Sequence, residues 1–482
     1  MVHKNIFIIM KRIIVSVVCL MSILISCKTK KKSNIVGIEN LSERVDEVVK
    51  KYQALDVFSG IVLIAENGDE KYHKAFGFAN RKTKEKNTIT TKFDIGSMNK
   101  SFTKTIVLQL LEEGKISMND TLGKYIKGFP FTAGTKITIK NLLNHSSGYS
   151  EYWGNDFSEL SIDQKRLPAL VERIKKLRLH FEPGSDFMYS NSGYVLLGAI
   201  IEKITGKTYN ENVVTRIITP LKMTETYVID KHLVPNRAIG YYKDMRGNIS
   251  SNIGFTEVPN PDGGFQSTPR DVVKFYNEYF YGSKLLSKSL KNNPDHFKYN
   301  IKNKNSGKAS LMAGGFRGAN TAYYEILRDK ISIIVFANMD EPVAERLGAD
   351  IVDIIRGDSP KEPSLPANQN VYKHYKKFGL KYVEENFYKL IDNFHSEDPK
   401  GMVLNGIGYD FLKEGSIKEA IQFFELNVKL FPEDANLWDS LGEAYFTKGN
   451  YKKALKHYKK ALELDPFMES SKEMIQNITK KL

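Results

Sequence analysis

A chain of 482 residues is too long for one ordinary hydrophobic core, so at least two domains are expected. Its apolar content of 41% is ample for folded domains. The formal net charge of +15 comes mostly from lysines scattered along the chain, which indicates a solvated basic surface suited to anionic envelope polymers or lipid headgroups. The sequence contains no zinc finger, RNP-like run or basic helix, so nucleic-acid binding is not predicted.

The first residues have the layout of an export signal. Lys11 and Arg12 precede an apolar run, residues 13–25, that is short for a membrane span. The run leads into LISC, residues 24–27, which resembles a bacterial lipobox, where the cysteine is acylated and becomes the first residue of the mature chain. An ordinary signal anchor is the alternative interpretation.

We therefore expect a lipoprotein signal peptide over residues 1–26 and a basic tether over residues 27–40. Acylated Cys27 would anchor the protein to a membrane of a bacterial cell envelope, where it would face the periplasm or the exterior. Because Cys19 lies inside the signal, the mature chain would keep no free thiol. This excludes a disulfide framework and a catalytic cysteine.

The region that follows carries two predicted hairpins, one near each end. In the first, two runs flank Asn67-Gly68, which is a strong signal for a tight hairpin turn. In the second, two runs flank residues 328–330, and helical patterns with long loops fill the stretch between the hairpins. The four predicted strands are residues 59–65, 71–78, 320–327 and 331–338. We expect an α+β domain over residues 41–357, with an antiparallel sheet built from both ends and flanked by helices.

Residues 358–366 contain three prolines and few apolar side chains, so we place a linker over residues 358–370. Beyond the linker, the sequence repeats with an offset of 34 residues. The matched pairs are Gly408 with Gly442, Phe411 with Tyr445, Gly415 with Gly449, Ala420 with Ala454, and Pro432 with Pro466. The pattern resembles tetratricopeptide repeats, each a helix–turn–helix whose small residues let the helices pack closely. An all-α repeat domain is expected over residues 371–482.

Ser97 and Lys100 lie three residues apart where a helical pattern begins. Residues i and i+3 share one face of a helix, so both side chains would point the same way. A serine hydroxyl becomes a good nucleophile when a base takes its proton, and a lysine amine can be that base if burial or nearby positive charge keeps it neutral. The helix N-terminus would also offer backbone N–H groups to a developing oxyanion. The alternative is that Ser97 is only a helix N-cap.

Further motifs follow in a consistent order. The tripeptide Tyr189-Ser190-Asn191 precedes a second helical pattern. Together with the Ser97-x-x-Lys100 pair and segments 137–149 and 262–275, it resembles the class C β-lactamase and D,D-peptidase superfamily over roughly residues 50–340. The resemblance implies a β-lactamase/transpeptidase-like fold for the first domain.

In that superfamily the serine is acylated, so the resemblance makes Ser97 the nucleophile, with Lys100 and Tyr189 transferring its proton. The side-chain amide of Asn191 would bind the amide of the substrate. Taken alone, Tyr189 would be interpreted as a core aromatic residue and Asn191 as a helix cap. The order of the motifs is what favours the catalytic interpretation.

The third motif departs from the superfamily pattern. Its best register is Met312-Ala313-Gly314-Gly315, in which Met312 replaces the usual lysine or histidine. A thioether cannot bind a substrate carboxylate or assist proton transfer, which argues against ordinary β-lactamase and carboxypeptidase specificity. Gly314 and Gly315 match the pattern and are expected at the substrate. The backbone N–H groups of Ser97 and Gly315 remain the expected oxyanion donors.

Other signatures are missing from the sequence. There is no Gly-x-Ser-x-Gly elbow, and the TGKT run at residues 205–208 lacks the first glycine of a P-loop. The nine histidines show no metal-binding spacing, so neither a metal nor a cofactor is expected. His145 is expected to be structural. Arg317 and Lys308 are candidates for a replacement cation, although exposed loop residues are the simpler interpretation.

The combined prediction is a lipid-anchored envelope serine hydrolase. It would act through an acyl-serine intermediate on a D-amino-acid peptide, a small ester or a β-lactam. The competing hypothesis is a catalytically weak binding module of the same fold, in which the repeats recruit a protein partner. A structural lipoprotein would explain none of the motif residues.

Overall fold

The computed structural model describes residues 40–154, 156–255, 258–297, 307–340, 342–392, 394 and 399–481. The expected signal peptide and Cys27 lie outside these residues. Within the described ranges, every helix is too short or too polar to span a bilayer. Across the same ranges, no group of His, Cys, Asp and Glu side chains is arranged to hold a metal ion.

Strands occur in the first three quarters of the chain, whereas the last quarter is helical. The strands are β1 Gly60–Glu66, β2 Asp69–Phe76, β3 Phe78–Asn80, β4 Glu85–Lys86, β5 Phe93–Asp94, β6 Tyr241–Lys243, β7 Ile249–Ser251, β8 Gln266–Ser267, β9 Ala309–Phe316, β10 Ala319–Ile326 and β11 Ile331–Ala337. The helices are α1 Leu41–Ala54, α2 Lys100–Glu112, α3 Leu122–Tyr125, α4 Phe131–Lys136, α5 Ile139–Leu143, α6 Leu167–Ile174, α7 Asn191–Thr205, α8 Tyr209–Val213, α9 Thr219–Leu221, α10 Pro269–Tyr281, α11 Lys288–Asn292, α12 Val343–Arg356, α13 Ala367–Leu390, α14 Gly401–Lys413, α15 Ile417–Leu430, α16 Ala435–Thr447, α17 Tyr451–Leu464 and α18 Glu469–Thr479.

The central sheet joins the two ends of the first domain, as predicted. Its strand order is β2-β1-β11-β10-β9, and the pairs are antiparallel. Gly60 lies opposite Ala337 where β1 pairs with β11. Asn67 and Gly68 both have positive φ, 54° and 85°, which is the backbone that a tight two-residue hairpin turn requires. The two predicted hairpins are therefore confirmed.

Helices cover both faces of this sheet. Neighbouring residues of a strand point to opposite faces. On β10, the ring of Tyr323 stacks on Tyr276 of α10 with centroids 4.2 Å apart, whereas the hydroxyl of Tyr324 donates to the carbonyl of Glu345 in α12 at 2.7 Å. The sheet thus has α10 on one face and α12 on the other.

Strand β9 packs closely against the turn that contains Ser97. A Cβ atom added to Gly314 would lie 2.1 Å from the carbonyl oxygen of Ile95 and 2.7 Å from the amide nitrogen of Ser97. Gly96 has a φ of 49°, in the left-handed region. The turn is a 3₁₀ helix, Gly96–Asn99, and α2 begins only at Lys100. Ser97 therefore lies just before the helix rather than in its first turn, and no side-chain bond makes it a cap.

The C-terminal helices show the packing that the 34-residue repeat predicts. A Cβ atom on Gly408 would lie 2.5 Å from the ring of Phe424, and one on Gly442 would lie 2.9 Å from the ring of Tyr458. Both glycines let paired helices approach closely. Helices α13 and α18 complete the apolar cluster of this part, to which they contribute Val371, Val383, Phe387, Leu390 and Ile478. The chain turns sharply inside α13 at Gly379, whose φ is 81°.

The loop between β6 and β7 contacts the repeats. Met245 belongs to their apolar cluster, and its backbone N–H donates to Asp410 Oδ2 at 3.0 Å. Arg246 binds both carboxylate oxygens of Glu414, at 2.7 and 2.6 Å. We propose that the hydrolase-like domain, residues 41–357, and the repeat domain, residues 371–482, fold separately. They would meet through this contact and through Arg178, which binds Asp465 at 2.7 Å.

A chain ending at Pro366 should test this proposal. This shortened chain keeps contacts of the linker, such as the hydrogen bond that the Lys361 N–H donates to Asp350 Oδ1 at 3.1 Å. With Met245→Ser added, which removes the apolar side chain that packs into the repeats, we expect a soluble protein with one cooperative thermal transition. Aggregation of this double variant, with the full chain soluble, would mean that the repeats are part of the first domain's core.

Gly314→Ala should lower the free energy of unfolding by about 1–3 kcal/mol, because the added methyl group overpacks the contact with the Ser97 turn. Gly254→Ala is the matched control, since the space around a Cβ atom there is open. Thermal unfolding of both variants gives the comparison. Equal melting temperatures would contradict the close contact between β9 and the turn.

Candidate active site

Two side chains meet at the hydroxyl of Ser97. Lys100 Nζ donates a hydrogen bond to Ser97 Oγ at 2.9 Å, and the hydroxyl of Tyr189 donates to the same oxygen at 2.8 Å. Lys100 is 6% exposed, whereas Tyr189 is 45% exposed. The nucleophile candidate is therefore flanked by one buried amine and one phenol that solvent can reach, and either group can exchange a proton with the serine.

The side-chain nitrogen of Lys100 is held on several sides. Its Nζ donates to the backbone carbonyl of Asp262 at 2.7 Å. It also lies 5.1 Å from the ring centroid of Tyr189 and 5.8 Å from that of Tyr194, within the range of cation–π attraction. These contacts leave the amine little freedom to move away from Ser97.

His145 positions Tyr189. The two rings stack with centroids 4.6 Å apart, and His145 Nδ1 accepts the backbone N–H of Ser190 at 3.1 Å. Burial, together with the charge of Lys100, lowers the pKa of His145 to about 4. The imidazole is therefore neutral at pH 7, and its acceptor role places the ring proton on Nε2.

Asn191 begins helix α7 and is bound to Glu151, a residue that the sequence did not single out. The backbone N–H of Asn191 reaches both carboxylate oxygens of Glu151, at 3.2 and 3.3 Å. Burial raises the pKa of Glu151, and hydrogen bonds from the side chain and backbone of Asn191 oppose that rise. The carboxylate thus holds both the backbone N–H and the side-chain amide of Asn191.

A cavity of about 300 Å³ opens beside Ser97. Backbone, aromatic rings and charged side chains form its wall, which consists of Asp94, Gly96, Ser97, Tyr152, Trp153, Gly154, Phe157, Ser158, Lys165, Asn191, Val258, Asn260, Asp262, Gly263, Gly264, Gly315 and Phe316. Of the two predicted glycines, Gly315 lines the cavity, whereas Gly314 lies under the Ser97 turn. The cavity is large enough for a small ester or amide.

Met312 stands where the third motif usually has a cation, so the site lacks that charge. Met312 is 8% exposed and belongs to the hydrophobic core. The guanidinium of Arg317 lies 4.0 Å from the ring centroid of Tyr242, and among the described residues neither Arg317 nor Lys308 lines the cavity. The lysine in the wall is Lys165, 5% exposed, with Nζ 5.2 Å from the ring centroid of Phe157.

Family models match both parts of the chain. The model described as Beta-lactamase matches residues 45–353, and the model described as Tetratricopeptide repeat matches residues 435–468. The first range contains every cavity residue named above, and the second contains the later of the two repeats.

Named relatives support a general role as an acyl-serine hydrolase. Penicillin-binding protein 4* of Bacillus subtilis is 29% identical over 316 residues, which cover 59% of this chain and 69% of that protein. Teichoic acid D-alanine hydrolase of Staphylococcus aureus is 29% identical over 339 residues, which cover 68% of this chain and 82% of that protein. The crystal structure of FmtA from Staphylococcus aureus matches with a TM-score of 0.55 at 27% identity and covers 68% and 92% of the two chains. Because the first family model spans more than half of the 482 residues, this chain belongs to the Beta-lactamase family and carries a tetratricopeptide repeat behind that domain.

Proposed function

We propose that the chain hydrolyses an ester or amide of a D-amino acid through an acyl-serine intermediate on Ser97. The observation that carries this proposal is the pair of hydrogen bonds, from Lys100 and from Tyr189, that meet at Ser97 Oγ. The name of one relative, a teichoic acid D-alanine hydrolase, supports a D-aminoacyl substrate.

In the acylation step, Lys100 in its neutral amine form, assisted by Tyr189, takes the hydroxyl proton of Ser97. Oγ then forms a bond to the substrate carbonyl carbon, the bond from that carbon to the leaving oxygen or nitrogen breaks, and the leaving group receives the proton. In the second step a water molecule adds to the acyl carbon. Its proton passes through the same two groups back to Oγ as the acyl–serine bond breaks.

The developing oxyanion needs donors that are already in place. The backbone N–H groups of Ser97 and Gly315 are the candidates, because both residues line the cavity and the contact of β9 with the Ser97 turn brings them together. Asn191, fixed by Glu151, would bind the polar backbone of the substrate. Since these donors do not depend on the third-motif side chain, Met312 does not prevent catalysis.

The order of effects among four variants tests the mechanism. Ser97→Ala and Lys100→Ala should each lower turnover of p-nitrophenyl acetate by about a hundredfold or more, because each removes the nucleophile or its base. Tyr189→Phe should have an intermediate to large effect. Met312→Leu keeps the volume of a core side chain and should stay close to the wild-type rate. Near wild-type turnover by Lys100→Ala would overturn the mechanism.

Covalent labelling separates the proposal from the binding-module alternative. A fluorophosphonate should label the wild type and not Ser97→Ala. A fluorescent penicillin should label it poorly, because no third-motif cation is present to bind the penicillin carboxylate. If neither probe labels folded wild-type protein, the domain is better described as a binding module whose repeats recruit a protein partner.

We also propose that acylated Cys27 anchors the protein to a bacterial envelope membrane, on the evidence of the LISC motif. An alkyne analogue of palmitate fed to expressing cells should label the wild type, and Cys27→Ser should lose the label. Equal labelling of the two proteins would exclude Cys27 as the anchor.

A further inference from the structure

Strands β6 and β7 form a hairpin whose tip contacts the repeats. Within the tip, Asp244 Oδ1 accepts the backbone N–H groups of Arg246 and Asn248, both at 2.9 Å, so the tip has a fixed shape of its own. The guanidinium of Arg246 binds Glu414 and also lies 4.9 Å from the ring centroid of Tyr372, within the range of cation–π attraction. The repeats therefore hold the β6–β7 hairpin at its tip.

The strands of the same hairpin support the turn between β9 and β10. Asp340 accepts two backbone N–H groups, from Gly318 of the turn at 2.9 Å and from Lys243 of β6 at 3.0 Å, so one carboxylate ties the two segments together. A Cβ atom on Gly318 would lie 2.7 Å from the amide nitrogen of Tyr241, which shows how closely the two backbones approach. A displacement of the hairpin would therefore displace the turn as well.

The supported turn leads directly into the wall of the cavity. Gly315 and Phe316 end β9 immediately before the turn, and both line the cavity. The ring of Phe316 meets that of Phe255 edge-on at a centroid distance of 6.1 Å, and Phe255 stacks on Tyr242 of β6 at 6.0 Å. The hairpin thus supports this wall through backbone and side chains, and the wall includes Gly315, whose N–H is one of the two candidate oxyanion donors.

We infer that the repeat domain supports catalysis by holding Gly315 in position through the β6–β7 hairpin, with Arg246 as the positioning residue. The inference rests on the proposed acyl-serine function, because it concerns the donor that stabilises the oxyanion of the substrate. It is compatible with separate folding of the two domains, since a misplacement of about 1 Å within a folded domain is enough to slow catalysis.

A second contact between the same two domains keeps the repeats attached when the first is broken. Arg178 donates to Asp465 at 2.7 Å, and its guanidinium lies 4.1 Å from the ring centroid of Phe467. Charge changes at Arg246 or Glu414 leave the residues of this contact unchanged. Their effect on activity therefore reports on the hairpin rather than on the loss of the whole repeat domain.

An exchange of charge across the pair of Arg246 and Glu414 tests the inference in the full chain. Arg246→Glu and Glu414→Arg each place like charges opposite each other and should displace the hairpin tip. We expect each to lower kcat for p-nitrophenyl acetate by about three- to thirtyfold, because removing an oxyanion donor altogether lowers kcat by about a hundred- to a thousandfold and a displaced donor costs less. The double variant, Arg246→Glu with Glu414→Arg, restores opposite charges and should recover most of the wild-type rate.

Two measurements and a control variant distinguish positioning from a general loss of structure. Rates are expressed per serine that a fluorophosphonate labels at completion, so that an unfolded fraction does not count. KM should stay close to the wild-type value, because an oxyanion donor acts in the transition state. The matched control is Arg270→Glu, which should keep the wild-type rate. Arg270 binds both carboxylate oxygens of Glu70, at 2.6 and 2.9 Å, on strand β2 at the opposite edge of the sheet from β9.

The outcomes separate this inference from the proposed function. A wild-type kcat in Glu414→Arg, although a fluorophosphonate labels Ser97, would refute the inference while the acyl-serine proposal stands. A double variant as slow as the slower single variant, or an equal loss in Arg270→Glu, would also mean that the hairpin contact does not position Gly315. If Ser97 is not labelled and the wild type does not hydrolyse the ester, both fail. Should Arg246→Glu not fold, Glu414→Arg, at an exposed position of the repeats, decides alone.

Discussion

The close contact between strand β9 and the Ser97 turn is the constraint on which the site depends. Without a side chain on Gly314, the strand reaches the backbone of Ile95 and Ser97 directly. Thr321 on the neighbouring strand reinforces this contact, because its hydroxyl lies 3.2 Å from both the Ile95 and the Gly314 carbonyl oxygens. The sheet thereby fixes the position of the serine through backbone contact alone. This is the rigid support that catalysis by preorganised groups needs.

The titratable groups around Lys100 differ in the charge that they bring to the site. His145 is kept neutral by burial and by the lysine itself, so it contributes shape and hydrogen bonding. Two carboxylates, Glu151 and Asp262, lie close enough for Lys100 to lower their pKa values against the effect of burial. With Met312 in the core, the usual cation of the third motif is absent from the site.

Local sequence signals predicted much of the fold. The Asn67-Gly68 turn and the 34-residue offset each depend on residues close in the chain, and the order of motifs predicts the meeting of Ser97, Lys100 and Tyr189. The residues that position the side chains of the site could not be predicted from such local signals. Tyr152 meets Asp262 across 110 residues, and loops without a periodic pattern bring them together. The 3₁₀ turn at Ser97 was missed because it depends on tertiary contact with β9.

The pairing of β1 with β11 has a consequence for the order in which the chain acquires structure. Strand β1 is made early in synthesis and can pair at once with β2, but its other antiparallel neighbour, β11, lies at the far end of the domain, after all of the intervening helices. Pairings between distant segments form slowly, because a long loop must close before any contact compensates for its entropy. The repeats, in contrast, are built from helices adjacent in sequence. We therefore expect the helical C-terminal part to reach its native contacts quickly, and the catalytic sheet to be the slow step, with an unpaired strand edge at risk of aggregation until residue 337 has joined it.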